Sequence, residues 1–462
     1  MCQLVPQWPF WLRLSLETVD LLRRLLTNIS WSSAEQVVRM GVGLVISVSL
    51  ARYFGPEQFG AYSFIITTVA IATAVVPLAC DQIVQRDLIE RPEAEGATLG
   101  AAAVLRLLGG AFAVVAGVLA VQELRSGRHV DFMIALLAGL PALLMPAEII
   151  TVWFGSRLQL KSAFVAKVPP LLAMAVLRGV MILLGAPLAA FLGVFVLENA
   201  LTAVALWLVY RGQGQWISSW RFSSSRAVQM CQDSLPLLLA QLATLLYLRV
   251  DVLILGLLKG DDAVGVYGAA TRLSMVWYAI PMIVSASLQP ALFSLRAADA
   301  VQYEGARRVV YASMAWSGYA IALATCLIAT PLCTVLFGAS YRSSGFILAI
   351  HIWSIIPVFL SVASNCFLVA ENQVWVAMYR TVFGLMASIV ANLLLVPPFG
   401  AVGAAIATLF SYTVATFSIS VFKGTRHDGV AMLRALSPLG LCDLVGWWLA
   451  KRRNYHSVRG MT

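Results

Sequence analysis

Long apolar runs separated by short polar turns fill most of the chain. Twelve of them reach the roughly 20 residues that a helix needs to cross a bilayer. They lie at 31–53, 61–80, 97–121, 132–153, 165–185, 188–210, 234–258, 264–291, 309–336, 346–370, 374–396 and 401–422. Most have the length of a tilted helix. The first is the least apolar, because Glu35 and Arg39 interrupt it. The linkers are mostly short, and none could hold a soluble domain. The pattern predicts an all-α integral membrane protein with about 12 transmembrane helices. Residues 1–29 differ. Arg13, Glu17, Asp20, Arg23 and Arg24 interrupt 8–26 at helical spacing. That spacing predicts an amphipathic segment on the membrane surface, neither a cleavable signal nor a span.

Composition agrees. Hydrophobic residues make up 60% of the 462 positions, charged ones 12%, and mean hydropathy is +0.85. Soluble domains hold about 25% charged residues, so an ordinary soluble fold, a disordered chain and a disulfide scaffold are excluded. The net charge of +10 would fit nucleic acid in a soluble protein. Here its distribution sets orientation instead. With the N-terminus inside, 21 of the 32 Lys and Arg residues fall on the inner side and five outside. The positive-inside rule therefore places both termini in the cytoplasm. A short run at 436–450 contains Asp443 and would place Lys451, Arg452 and Arg453 outside, so it is not read as a span. The seven cysteines lack metal-motif spacing and read as small buried hydrophobes.

The chain repeats itself weakly. Gly55, Gly60 and Tyr62, between the first two runs, recur as Gly260, Gly265 and Tyr267 between the seventh and eighth, at an offset of 205 residues. An even number of spans per half makes the halves parallel repeats. The expected organisation is an amphipathic N-terminal segment (1–29), an N-lobe (30–210), a cytoplasmic linker (211–232), a C-lobe (233–423) and a basic cytoplasmic tail (424–462). The lobes are expected to surround a central cavity.

Six cations lie inside runs, all arginine: Arg39, Arg106, Arg178, Arg249, Arg272 and Arg380. The intramembrane acids are Glu35, Glu148, Glu198 and Asp251. A charge at the bilayer centre costs at least about 2.5–3.5 kcal/mol, so such groups pair, snorkel or face water. Arginine stays protonated and grips phosphate through a planar fork. An arginine-rich interior thus suits an anionic ligand. Asp251 and Arg272 sit at similar depth, which leaves two readings open: a structural ion pair, or direct ligand contact by Arg272. Arg39 is read as a cavity cation or an inner-end snorkelling group. Arg106 and Arg380 are expected to snorkel, and His351 to be a packed polar residue. Pro77, Pro141, Pro146, Pro281 and Pro357 are expected to kink their helices. The segment from Gly400 to Ala405 reads as close packing at a turn. No phosphate loop, zinc motif or nucleophile elbow appears, and no outer loop is large enough for the usual membrane-enzyme site. No cofactor, metal or nucleic-acid partner is expected.

Residues 51–64, ARYFGPEQFGAYSF, resemble the first-span signature of the polysaccharide-biosynthesis proteins. These are the O-antigen and repeat-unit flippases (Wzx type) of the MOP exporter superfamily. Leu248-Arg249-Val250-Asp251, the segment 265–273 and the segment 399–408 match the same pattern in order. The resemblance covers about residues 30–423. It implies two six-helix lobes and flipping of undecaprenyl-diphosphate-linked oligosaccharide to the periplasmic leaflet of a bacterial inner membrane. It implies that Arg39, Arg249 and Arg272 hold the diphosphate. A polysaccharide polymerase and a chain-length regulator would be partners, and Na⁺, H⁺ or the membrane potential could drive the cycle. The rivals are a lipid II flippase, a multidrug antiporter and a membrane glycan polymerase.

Overall fold

The computed structural model describes residues 10–74, 76, 81–125 and 132–446. Side chains are described from residue 27 onward, apart from 286, 287, 290 and 297. Pro77, Cys80, Lys451, Arg452 and Arg453 lie outside the described residues, as do the side chains of Arg13, Glu17, Asp20, Arg23 and Arg24. The elements are α1 (Phe10–Thr73), α2 (Asp81–Glu90), α3 (Glu95–Leu124), α4 (Phe132–Gly139), α5 (Ile149–Ser156), α6 (Leu160–Leu183), α7 (Leu188–Gly212) and α8 (Ser224–Lys259). They continue with α9 (Asp261–Met275), α10 (Ala279–Ala298), α11 (Ala300–Phe337), α12 (Arg342–His351), α13 (Ile355–Ala370), α14 (Val374–Phe417) and α15 (Arg426–Leu436).

No strand occurs among the described residues, and nine helical stretches there are long and apolar enough to cross a membrane. Two of these each carry two of the predicted runs. Their helices meet where a glycine leaves helical geometry, at Gly55 in α1 (φ 72°, ψ 176°) and Gly400 in α14 (φ 56°, ψ −132°). The run at 264–291 falls on α9 and α10 and is not among the nine. Large apolar side chains stand exposed along the helices, with Leu183 at 86% and Leu327 at 75%. A soluble protein does not tolerate so much exposed apolar surface, whereas lipid matches it. The helices satisfy their own backbone, as a bilayer requires. The protein is an all-α integral membrane protein.

Two compact units make up the chain. One comprises Met1–Ile46 and Ala72–Leu239; the other comprises Ser47–Ile71 and Ala240–Thr462. α1 and α8 each contribute to both. In the first unit α6 packs on α7, and α2 on α3 and α5. Leu99, Ile149, Trp153, Phe154, Leu206 and Tyr210 form its buried core. The Trp153 and Tyr210 rings meet edge to face at 5.1 Å. In the second unit α11 packs on α12, α13 and α15, and α9 on α12 and α14.

The prolines explain where α-helix gives way. Pro141 and Pro146 lie in a nine-residue 3₁₀ stretch, Leu140–Glu148, that joins α4 to α5. Pro281 and Pro357 follow the 3₁₀ turns Val276–Tyr278 and Ile352–Ser354. Each removes the amide that would have bonded four residues back, inside that turn. Asp299 starts α11 by accepting from the Val301 and Gln302 amides at 2.8 and 3.0 Å. α1 begins at Phe10 and continues unbroken into the first apolar run, so the N-terminal segment is not a separate helix. After α15 a helix over Pro438–Gly446 turns by 92°.

Candidate functional site

The repeated glycine motifs adopt the same backbone. Gly55 and Gly260 (φ 88°, ψ −173°) both occupy a region that is essentially glycine-only. The two turns interlock inside the second unit. A Cβ on Gly60 would overlap the Asp261 carbonyl, and one on Gly265 would overlap the Pro56 carbonyl. The Tyr341 hydroxyl ties the same region down by donating to the Ala51 carbonyl at 2.9 Å. Gly403 likewise admits the Leu395 backbone beside the Gly400 turn.

Below this turn, Asp251 of α8 is buried and is not paired with Arg272. Its carboxylate accepts from the Tyr267 hydroxyl, from the Val252 amide at 2.8 Å and from the Thr408 hydroxyl at 3.5 Å. Tyr267 and Thr408 are themselves 3.0 Å apart. Of the two readings left open, the ion pair fails, on rotation rather than depth. Five residues along α9 turn a side chain by about 140°, so with Tyr267 facing Asp251, Arg272 faces elsewhere. Tyr267→Phe removes the main side-chain donor to a buried carboxylate. It is expected to destabilise by about 1–3 kcal/mol, read as a lower thermal-unfolding midpoint, with Asp251→Asn recovering part of the loss. An unchanged midpoint would rule out a structural role for this bond.

Arg272 lies over the Phe59 ring, 4.4 Å from its centroid, and donates to Ser63 Oγ at 3.4 Å. Its Nη1 is buried without a hydrogen-bond partner, and no carboxylate pairs with it among the described residues. Arg249, two residues from Asp251 on α8, is exposed; its charge reaches both Asp251 and Arg272. The second unit thus holds a guanidinium whose Nη1 donors the protein does not use.

The first unit arranges its charges differently. Arg39, Arg106, Lys167, Asp81, Glu148 and Asn199 help line a cavity of about 390 Å³. Arg39 pairs with Glu35 at 3.1 Å, one helical turn earlier. Lys167 bridges Glu148 at 2.8 Å and Glu35 at 3.5 Å. Arg106 does not snorkel: it is buried and paired with Asp81 at the start of α2. Arg178 pairs with Glu198 at 2.7 Å. Arg380 is also buried rather than snorkelling, with Nη2 on Asn365 Oδ1 at 2.8 Å. His351 is fully buried, its Nδ1 3.0 Å from Ser274 Oγ. Sequence reasoning missed Lys167, which counts toward the positive-inside bias but turns inward on α6. Its acid partners, Glu148 and Glu35, stand on other helical segments of the chain. Arg39 belongs to the first unit, and Arg249 and Arg272 belong to the second.

The fold and site together define the class: a polytopic helical membrane protein with buried, unevenly paired arginines. The family model for polysaccharide biosynthesis proteins matches residues 25–296, more than half of the chain, and the chain belongs to that family. The MatE model also matches residues 236–394. Among curated relatives, the probable flippase AglR of Haloferax volcanii is 27% identical over 173 residues, which is 36% of each protein. The match thus spans about a third of that relative's length. Two solved structures share the fold. The lipid II flippase MurJ in an inward closed conformation gives a TM-score of 0.69 at 12% identity, over 88% of this chain and 91% of that one. An inward-facing multidrug resistance MATE family transporter of the MOP superfamily gives 0.69 at 14% identity, over 87% and 96%.

Proposed function

We propose that this protein is a flippase for undecaprenyl-diphosphate-linked oligosaccharide, a polysaccharide repeat unit. It would carry the head group from the cytoplasmic to the periplasmic leaflet of a bacterial inner membrane by alternating access, with both termini cytoplasmic. Family membership supports the substrate class. The observation that carries the reading is Arg272, a buried guanidinium with an unused donor and no acid beside it. A diphosphate offers the bidentate acceptor that such a fork matches. Arg249 and Arg39 would assist, Arg39 less because Glu35 already occupies it. Aromatic and polar side chains would hold the hydroxyl-rich glycan.

Transport needs a protein because sugar hydroxyls and a diphosphate would be desolvated in hydrocarbon. An inside-negative potential favours outward movement of negative charge by about 2.3 kcal/mol per charge per 100 mV. The reading is of a non-enzymatic carrier, with a polymerase and a chain-length regulator as partners in the membrane. A multidrug antiporter for cations fits Arg272 poorly.

The test is a sealed-proteoliposome assay with fluorescent undecaprenyl-diphosphate oligosaccharide, scored by a membrane-impermeant reagent. Protein-dependent transfer with unchanged glycan length is the expected result. Elongated product would establish a polymerase instead. No transfer, with and without ion gradients, would overturn the substrate assignment.

A further inference from the structure

At the end of the second unit, three ligand-type side chains converge that no part of the transport reading uses. Glu371 follows α13, and His427 and Asp428 open α15. One donor atom from each lies within 4.8 Å of the other two. His427 Nε2 is 3.4 Å from Glu371 Oε2 and 3.7 Å from Asp428 Oδ2. Tetrahedral zinc with bonds of 2.0–2.1 Å spaces its ligand atoms about 3.3 Å apart, so a small contraction would let one ion touch all three.

The surrounding groups divide the carboxylate oxygens in a telling way. Arg307 pairs with Glu371 through Oε1 and with Asp428 through Oδ1, the latter at 3.3 Å. The Tyr303 hydroxyl donates to Glu371 Oε1 at 3.3 Å, and the Tyr311 hydroxyl to Asp428 Oδ1 at 2.9 Å. Every one of these partners takes the first oxygen and leaves the second facing His427. Asp428 is fully buried, yet its Oδ2 has no hydrogen-bond partner. Such an orphaned buried acceptor is costly unless something meets it. Supporting groups that hold ligating carboxylates by their other oxygen are the usual outer shell of a metal site. Charge points the same way. Glu304, 2.9 Å from Arg307, adds a third carboxylate. Arg296 lines the same pocket, and Glu304, Glu371 and Asp428 still outnumber the two arginines, which favours a cation.

We infer that Glu371, His427 and Asp428 bind one divalent transition ion, zinc by preference, which clasps α15 to the turn between α13 and α14. Two carboxylates and one imidazole suit zinc or manganese better than magnesium. His427 is half-exposed, which gives the ion an entry path and leaves a position for water. The site is structural and independent of which lipid-linked glycan the protein carries.

The experiment uses the full chain without an affinity tag, purified in detergent and stripped with EDTA. Zinc, manganese and magnesium salts are then added in turn. One zinc per chain after dialysis is expected, together with a raised thermal-unfolding midpoint that EDTA reverses. His427→Ala, at an exposed position where folding is not at risk, should weaken zinc binding roughly tenfold or more. Glu371→Gln should do likewise. Cobalt in place of zinc should give a visible spectrum without thiolate charge transfer, which separates this site from the cysteines. Absence of stoichiometric zinc, or equal affinity in both variants and wild type, would overturn the inference. So would stabilisation on mild acidification that needs His427 but no metal, since that marks an ion-pair clasp.

Discussion

Arg272→Met is expected to reduce transfer of undecaprenyl-diphosphate oligosaccharide by about 100-fold or more while leaving the folded protein as stable as before, or more so. Hydrogen bonds to a charged group contribute about 1.5–3 kcal/mol each, and a bidentate contact loses two of them. The stability arm distinguishes this role from a structural one. Breaking a buried ion pair is strongly destabilising because the abandoned partner stays buried and charged. Arg272 has no such partner; the protein offers it the Phe59 face and the Ser63 hydroxyl. An apolar side chain of similar length removes a buried charge and keeps the volume. Arg272→Lys should fall between the two, because it keeps the charge and loses the fork. Arg249→Met should cost less, and Arg39→Met least, since Glu35 lies 3.1 Å from Arg39. Full transfer by the Arg272→Met protein would refute the diphosphate assignment, and a large drop in its unfolding midpoint would show that the residue serves the fold.

The second large effect belongs to the interlocked glycine turns. Gly265→Val and Gly60→Val should each lower stability by about 1–3 kcal/mol, the usual penalty for overpacking, and reduce transport with it. The obstacle in each case is backbone: the Pro56 carbonyl for Gly265 and the Asp261 carbonyl for Gly60. A carbonyl held in a turn cannot swing aside as a side chain can. Because both substitutions pry apart the same two turns, the double variant should lose less than the two single losses together, with a coupling of about 0.5–3 kcal/mol. Gly305→Ala is the control. Its Cβ would meet nothing within 4 Å at this exposed position of α11, so helix propensity alone should stabilise it, by up to about 1 kcal/mol. Equal midpoints for Gly265→Val and wild type would dispose of the interlock.

Much of the fold was legible in the chain because a bilayer imposes a local rule. About 20 apolar residues must be helical wherever they occur, so a running sum of hydropathy finds them without knowing their neighbours. The glycine repeat was legible for a similar reason. Gly55 and Gly260 announce a backbone that other residues avoid, and both adopt it. Pro141, Pro146, Pro281 and Pro357 marked the 3₁₀ interruptions, since a missing amide acts within its own turn.

The pairing of charges was not legible. Depth along a helix can be counted from its ends, and it placed Asp251 level with Arg272. Rotation could not, and rotation gave Asp251 to Tyr267 and Thr408. Arg106 met Asp81 and Arg380 met Asn365, each against an expectation built on distance to the nearest helix end, and Lys167, which the sequence reading missed, met Glu148. Glu371 and His427 are 56 positions apart, on opposite sides of a 44-residue helical stretch, and only the packing of α15 beside the α13–α14 turn brings them together. By itself the sequence determined that the chain is a helical membrane protein and where its helices break, because hydropathy, glycine and proline act on the few residues around them. Tertiary structure decided which buried charges are neutralised by an acid and which, like Arg272, are not. That depends on helix phase and on partners distant in the chain, which no local window contains.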